Sequence, residues 1–431
     1  MTNSVRYFST AVRKIRKVSS FSVAPMMDYT DFNQRYLFRL ISKRAVLYTE
    51  MITAPALVNT KDPKRFLESD LSSDEPIVLQ LGGSDPKMMA AAARIAKSYG
   101  FKHFNVNCGC PSPKVAGSGQ FGASLMNHPE LVRDICSSIS EVSGEVTTVK
   151  MRLGLDDQTP EEAYDFTANF VEIISRTSSM DTSVCNHFIA HARKAILGKK
   201  LTPADNRRIP PLRYDLIHKL CIDFPNIGFT LNGGIVSIDE CMRGLELSDC
   251  SSAQDHFVST HRDMSTEKLI VDSHHKLVLP SEMTSVPKRE ATPLAGCMVG
   301  RACIDRPFEW STIDSRIYGD VDPGLTRREI LHKYAHHAAS MEGLSGVSCR
   351  NRVIKPLLGL FAGEANGRLF RSQLEVLLSQ GRTSSRSANS NSTGRLGERM
   401  SLQDIILHAS EVLPEGVLDR LPMTLMNKCK T

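Results

Sequence analysis

Short apolar, β-branched runs alternate with helical patterns through the first two thirds of the chain, and this alternation is the strongest constraint on its fold. The runs are Phe21–Met27, Ala45–Glu50, Pro76–Leu81, His103–Asn107, Thr147–Met151, His187–Ala190, Gly228–Leu231 and Cys297–Val299. Strands joined through helices must run parallel, because a crossover returns the chain to the same end of the sheet. Eight such repeats predict a closed (β/α)8 TIM barrel rather than an open sheet. Helix starts fall between the runs. Asp85-Pro86 is an N-cap followed by Pro at the first helical position, and Asn127 with Glu130, like Thr159-Pro160 with Glu162, has capping-box spacing.

A barrel typically needs about 250 residues, and this chain has 431. Part of the surplus is helical. Thr326-Arg327-Arg328-Glu329 opens a helix to about Met341, and apolar periodicity returns over Val353–Phe361, Leu369–Leu378 and Ile405–Val412. The expected division is a barrel over 21–323 and a small C-terminal helical domain over 324–431. Two stretches fit neither. Residues 246–293 lack glycine, and Leu245–Thr292 holds eight serines and four histidines (His256, His261, His274, His275). Their irregular spacing and polar setting predict a surface insertion rather than a metal site. Residues 382–399, rich in Ser, Thr, Asn and Arg, are expected to be disordered.

The first twenty residues carry Arg6, Arg13, Lys14, Arg16 and Lys17 without one acid. That composition fits a mitochondrial transit peptide, with a basic tail on a cytoplasmic protein as the alternative. No apolar run is long enough to span a bilayer. The net charge of +6 permits a polyanionic partner without demanding one. Eleven cysteines without a C-x-x-C pair argue against zinc ribbons and iron–sulfur clusters, and they suit free thiols in a reducing compartment.

Barrel chemistry sits at the C-terminal ends of strands. Here those ends read Ala24-Pro25-Met26-Met27-Asp28, Gln80-Leu81-Gly82-Gly83, Asn107-Cys108-Gly109-Cys110-Pro111, Lys150-Met151-Arg152, His191-Ala192-Arg193-Lys194, Asn232-Gly233-Gly234 and Gly300-Arg301. The paired glycines after strand seven, with Gly300 after strand eight, suit a phosphate. Gly117–Gly122 matches G-x-G-x-x-G, but ten residues with two prolines separate it from the strand, so a dinucleotide fingerprint is not expected. His187 and His191 are four apart on a strand, about 13 Å, too far to share a metal ion. Met26 and Met27 could also be plain core, and Lys150 a solvated strand-end charge.

The set as a whole resembles the tRNA-dihydrouridine synthases, most closely their bacterial A class. The matching stretches are Ser22-Val23-Ala24-Pro25-Met26, Leu47-Tyr48-Thr49-Glu50-Met51, Leu79–Pro86, Asn107–Ser112, Phe121-Gly122-Ala123, Asn206–Leu212 and Val299-Gly300-Arg301. The resemblance implies an FMN-containing barrel and a helical domain that together reduce D-loop uridines of tRNA, U20 and U20a in this class, at the expense of NADPH. It places Pro25, Met26 and Met27 under the flavin ring, and Gln80, Lys150 and His191 around it. Asn232, Gly233, Gly234, Gly300 and Arg301 would grip the phosphate, and Cys110 is the catalytic cysteine, with Cys108 a passenger. Asn107, Asn206, Arg207, Arg368 and Arg371 are the expected tRNA contacts; for the last two a solvated helical face is the alternative. A monomer without metal is expected. The chemistry of uracil then asks for hydride at C6 and a proton at C5, and a thiol, mostly protonated at neutral pH, can give that proton. The competing readings are a flavin barrel acting on a free pyrimidine, and an RNA-binding protein that has lost its flavin.

Overall fold

The computed structural model describes residues 21–117, 120–176, 184–197, 201–246, 294–342, 348–383 and 400–422. The basic leader, most of the 246–293 insertion and most of the Ser-rich 382–399 stretch lie outside the described residues. Eight parallel strands close into a barrel in sequential order: β1 (Phe21–Val23), β2 (Val46–Thr53), β3 (Ile77–Gly82), β4 (His103–Cys108), β5 (Thr148–Arg152), β6 (His187–His191), β7 (Gly228–Asn232) and β8 (Gly296–Val299). All eight expected strands are present. β1 is shorter than expected, because Pro25 has no N–H for a ladder and the Met26 carbonyl turns the chain by accepting from Tyr29 and Thr30.

Alternation along the strands separates two environments. Phe21, Leu47, Leu79, Phe104, Val149, Phe188, Phe229 and Cys297 point outward into the large core shared with the surrounding helices. The residues between them fill the lumen. Within it a small apolar cluster of Ala24, Val46, Tyr48, Ile189 and Met298 packs together. Beside it sit amides and hydroxyls, among them Gln80, Asn105, Thr230 and Asn232, all buried. Buried amides must be hydrogen-bonded to one another or to the backbone, and here they are. Asn105 Nδ2 donates to Thr148 Oγ1 at 2.8 Å, Gln80 Nε2 to Asn105 Oδ1 at 2.7 Å, and Asn232 Nδ2 to the Met298 carbonyl at 2.8 Å.

The helix over Pro86–Ser98 starts at Asp85, whose carboxylate accepts from the Met88 N–H. That over Pro160–Ser175 has the full reciprocal capping box of Thr159 and Glu162. Asn127 is not a cap. It ends a 3-10 turn (Gly122–Asn127), and the helix Pro129–Ser143 begins after His128, with Pro129 supplying the helical φ that a capping side chain would otherwise have to fix. Gly122 therefore opens only a 3-10 turn, as expected of a chance G-x-G-x-x-G.

The C-terminal helices run over Arg327–Glu342, Ser348–Ile354, Gly367–Thr383 and Leu402–Ser410. Thr326 and Glu329 form the expected reciprocal cap. This domain packs on the helix Phe32–Ile41, where the Tyr36 and His337 rings stack 4.0 Å apart and His337 Nε2 bonds Asn33 Oδ1 at 3.0 Å. Among the described residues no helix is long and apolar enough to cross a membrane.

Candidate active site and RNA interface

The barrel mouth is organised by the loop after β4. Asn107 Oδ1 accepts from the backbone N–H groups of Gly109 (3.1 Å) and Cys110 (3.0 Å), while its Nδ2 donates to Gln80 Oε1 at 2.9 Å. One side chain thus couples the lumen network to the turn that carries the thiol. The Cys110 carbonyl in turn accepts from Ala123 at 2.9 Å. Cys110 is half-buried at the mouth, whereas Cys108, two residues earlier, is fully buried in the outer core. β4 ends at Cys108, which keeps the outward row of Phe104 and Val106, whereas Cys110 lies on the turn after the strand, and this separates the two sulfurs.

Facing Cys110 is a concentration of positive charge without carboxylates. Burial, and next the Arg152 guanidinium, hold the Lys150 ammonium down to about 7; the Cys110 sulfur, as thiolate, pulls the other way. Among the described residues nothing accepts a hydrogen bond from that ammonium. Burial likewise brings Arg152 down to about 10, again opposed by Cys110. His191 is held well below the ordinary imidazole value by burial, then by Arg152 and Lys150, so its ring is neutral. Its Nδ1 is buried without a partner. Arg207 is lowered by burial and then by Arg301, which places those two guanidinium groups near each other across the mouth.

Beside His191, Gly233 (φ +106°) and Gly234 (φ +77°) take left-handed conformations that other residues rarely adopt. A Cβ on Gly233 would lie 3.2 Å from the His191 ring, and one on Gly234 would meet Leu212 at 2.5 Å. The bare backbone there is open to a flat or anionic ligand. Met26 lies at the same rim, its sulfur 3.4 Å from where a Gly300 Cβ would be. Arg301 is exposed at the first position of the short helix Arg301–Asp305. A neutral ring with an orphaned nitrogen, an uncommitted ammonium and glycine backbone fit a flavin pyrimidine and a phosphate. Among the described residues no group of His, Cys, Asp or Glu could hold a metal ion.

The expected site residues do not all meet. Pro25, Met26, Lys150, His191, Gly233, Gly234, Gly300, Arg301 and Cys110 stand at or just past the C-terminal ends of their strands, with Gln80 and Asn232 buried in the lumen beneath them. Met27 leaves the mouth: its side chain is 53% exposed and lines a neighbouring cavity. Asn206 is fully buried, its Oδ1 taken by the Ile196 N–H at 2.7 Å and its Nδ2 given to the Ile196 carbonyl at 3.0 Å. It anchors the loop that presents Arg207, and direct RNA contact by its side chain is corrected accordingly. Arg368 and Arg371 share one face of the Gly367–Thr383 helix, opposite buried Phe370 and Leu374, and neither pairs with a carboxylate among the described residues.

Arg152 was missed as a site residue. Its guanidinium, 4% exposed, donates to the carbonyls of Gly109 (3.2 Å), Lys194 (3.2 Å) and Asn206 (3.0 Å). The only signal in the sequence is its spacing of two from Lys150, which puts both on the lumen face of β5.

Comparison with known proteins agrees with this geometry. The family model described as dihydrouridine synthase matches residues 22–252. The chain is 33% identical over 356 residues to the tRNA-dihydrouridine(20/20a) synthase of Pseudomonas syringae pv. tomato, covering 83% of this chain and 88% of that one. It is 34% identical over 359 residues to the enzyme of that name from Escherichia coli K12, covering 82% and 85%. The Synechocystis enzyme of the same name is 33% identical over 357 residues, covering 83% and 89%. A thiol turn braced by the lumen amides of a closed eight-stranded barrel, and likeness along most of the chain, lead to one conclusion: this protein belongs to the dihydrouridine synthase family.

Proposed function

We propose that this protein reduces uridine to 5,6-dihydrouridine in the D-loop of tRNA, at positions 20 and 20a, with FMN bound at the barrel mouth and NADPH as reductant. The observation that carries the reading is the Asn107 side chain, which fixes the Cys110 turn at the end of β4, beside Lys150 on the neighbouring strand. Lys150 and the neutral His191 would hold the pyrimidine edge of the flavin, and Gly233, Gly234, Gly300 and Arg301 its phosphate. The chemistry FMN supplies when bound is hydride donation to C6 of the uracil.

The protein's own work begins with access. A uridine in a folded loop must leave its stack to reach the mouth, and Arg207 presents positive charge to a phosphate beside it. As negative charge develops over C5 and the C4 carbonyl, the Cys110 thiol delivers a proton to C5. The thiolate left behind lies among Lys150, Arg152 and Arg207. Reprotonation from solvent readies the next turnover. A basic helical face with Arg368 and Arg371 favours a polymeric substrate over a free pyrimidine, which needs no docking surface.

Cys110→Ala tests the assignment. The purified variant should stay yellow and its flavin should still bleach with NADPH, while mass spectrometry of the tRNA finds nearly no dihydrouridine. Cys108→Val, a change inside the outer core, should be nearly silent. Wild-type turnover in Cys110→Ala, with loss in Cys108→Val, would move the acid to the other sulfur.

A further inference from the structure

Beside the barrel mouth, and separated from it by the Met26-Met27 turn, lies a cavity of about 720 Å³ that the proposed reaction does not use. Its walls come from the β1 loop, the end of β2, and the helical domain at Asn351–Pro356. Its volume falls in the range of ligand pockets, about 300–1,000 Å³. A one-residue register shift between Tyr48 and Met51 in β2 creates its chemistry. The bulge turns Glu50 out of the lumen and into this space, where its Oε1 accepts from the Asp28 N–H and its Oε2 lies 3.9 Å from Arg352. Gln34, 3% exposed, lines the same cavity with its Nε2 buried and unpartnered. Tyr29 offers a ring 44% exposed, with the Lys355 ammonium 3.9 Å from its centroid. Arg352, 61% exposed, stands at the rim.

Resting on the function proposed above, we propose that this cavity takes a second unstacked base of the tRNA loop, beside the target uridine, and that it favours guanine. An aromatic face accepts any base by stacking. The polar set is selective. Guanine alone presents two adjacent N–H donors followed by a carbonyl acceptor along one edge, and a cavity lined by both a carboxylate and a free amide donor offers the complementary groups. Arg352 and Lys355 then sit where the flanking phosphates would run. The cavity opens next to the mouth, so a nucleotide neighbouring the target can occupy it while the target is inside. Capture of a neighbour would hold the loop open and fix which uridine reaches Cys110.

The test uses the full chain and an unmodified tRNA transcript. Tyr29→Ala should weaken tRNA binding by about tenfold or more, and Tyr29→Phe, which keeps the ring, should restore it. Glu50→Gln keeps an acceptor for the Asp28 N–H but loses the charge, and should also weaken binding. Replacing the loop guanines with inosine, which lacks one of the two donors, should cost wild type affinity and cost Glu50→Gln little more. Reduction of the flavin by NADPH without tRNA should be unchanged in all three variants. Unchanged tRNA affinity overturns the assignment, and so does a raised KM for NADPH with normal tRNA binding, which would give the cavity to the reductant. Absence of dihydrouridine from wild-type reactions would overturn the parent reading and this one with it.

Discussion

Replacing Arg152 with Met separates holding a loop in place from holding a protein together. Two opposing quantities follow from the surroundings of Arg152. Its three hydrogen bonds to the carbonyls of Gly109, Lys194 and Asn206 come from a charged group and are worth about 1.5–3 kcal/mol each, or about 4.5–9 kcal/mol together. Against this, the buried cation has no carboxylate among the described residues, and its fall from 12.5 to about 10 corresponds to about 3 kcal/mol of destabilisation. Methionine fills a similar volume and removes both. The expected net loss of global stability is therefore about 1.5–6 kcal/mol, less than the hydrogen bonds alone would give, because relief of the buried charge offsets part of it. The three carbonyls are left to find water, and the loops after β4 and β6 can do so only by moving outward. A displacement of about 1 Å at Cys110 is enough to cost roughly a hundredfold in turnover. The assay has three parts: melting temperature, the rate of maleimide labelling at Cys110 read on its own peptide, and dihydrouridine formation on tRNA. The expected pattern is a lowered melting temperature, faster Cys110 labelling and a large loss of turnover. A variant that melts far below wild type while Cys110 labels at the normal rate would refute the reasoning, since Arg152 would then brace the barrel and not its loops.

Four further outcomes are expected. Changing Arg368 and Arg371 together to Ala should weaken tRNA binding and flatten the plot of log affinity against log salt by about 0.7–0.9 per lost phosphate contact, measured by filter binding, with flavin content unchanged. Lys150, held near 7, is mostly neutral at pH 8, so capture of FMN at that pH should recharge it and take up protons; calorimetry in two buffers should find this uptake in wild type and not in Lys150→Met. The same depressed value makes the cation a burden on the fold that is full below about pH 7 and relieved as pH rises toward 10.5, so flavin-free Lys150→Met should gain stability over wild type at pH 6 and lose that gain near pH 10. Replacing Leu247–Thr292 with a short Gly/Ser linker should leave FMN bound, because β7 and β8 already pair along Thr230–Asn232 and Gly296–Met298.

The architecture was legible because parallel strands and helices obey different periods. Every strand was found, and the errors are local. Pro25 ends β1 early through a missing N–H, and Pro129 rather than Asn127 starts its helix. The site was legible where motif residues are also geometric neighbours, as with Asn107 and Cys110. It was illegible where a residue's role depends on which carbonyls come within reach after folding. Asn206 reads as a polar loop residue suited to RNA and is instead spent on Ile196. Arg152 reads as one more cation and instead reaches three carbonyls from two distant segments. Met27 follows Met26 directly, yet the turn between them sends it out of the mouth. No spacing rule encodes these outcomes: Asn206 closes on Ile196 in its own loop, Met27 follows a local turn, and Arg152 reaches segments beyond both neighbouring strands.

The seam that closes the barrel joins the two ends of its chain. β1 is three residues long and pairs with β8, nearly 280 positions later. The Phe21 N–H and carbonyl both bond the Tyr318 hydroxyl at 3.1 Å, and Asp314 accepts from the backbone of Lys43 at 2.7 Å. Tyr318 leaves the ribosome 297 residues after Phe21. While residues 21–230 emerge, the growing sheet has open edges at β1 and at its newest strand, and such edges recruit other chains. Closure waits until Val299 and then Tyr318 clear the exit tunnel, and a contact of such long sequence separation forms slowly. The nascent protein therefore passes through a long interval as an unfinished sheet, and its yield in a cell depends on what shields those edges until the last strand arrives.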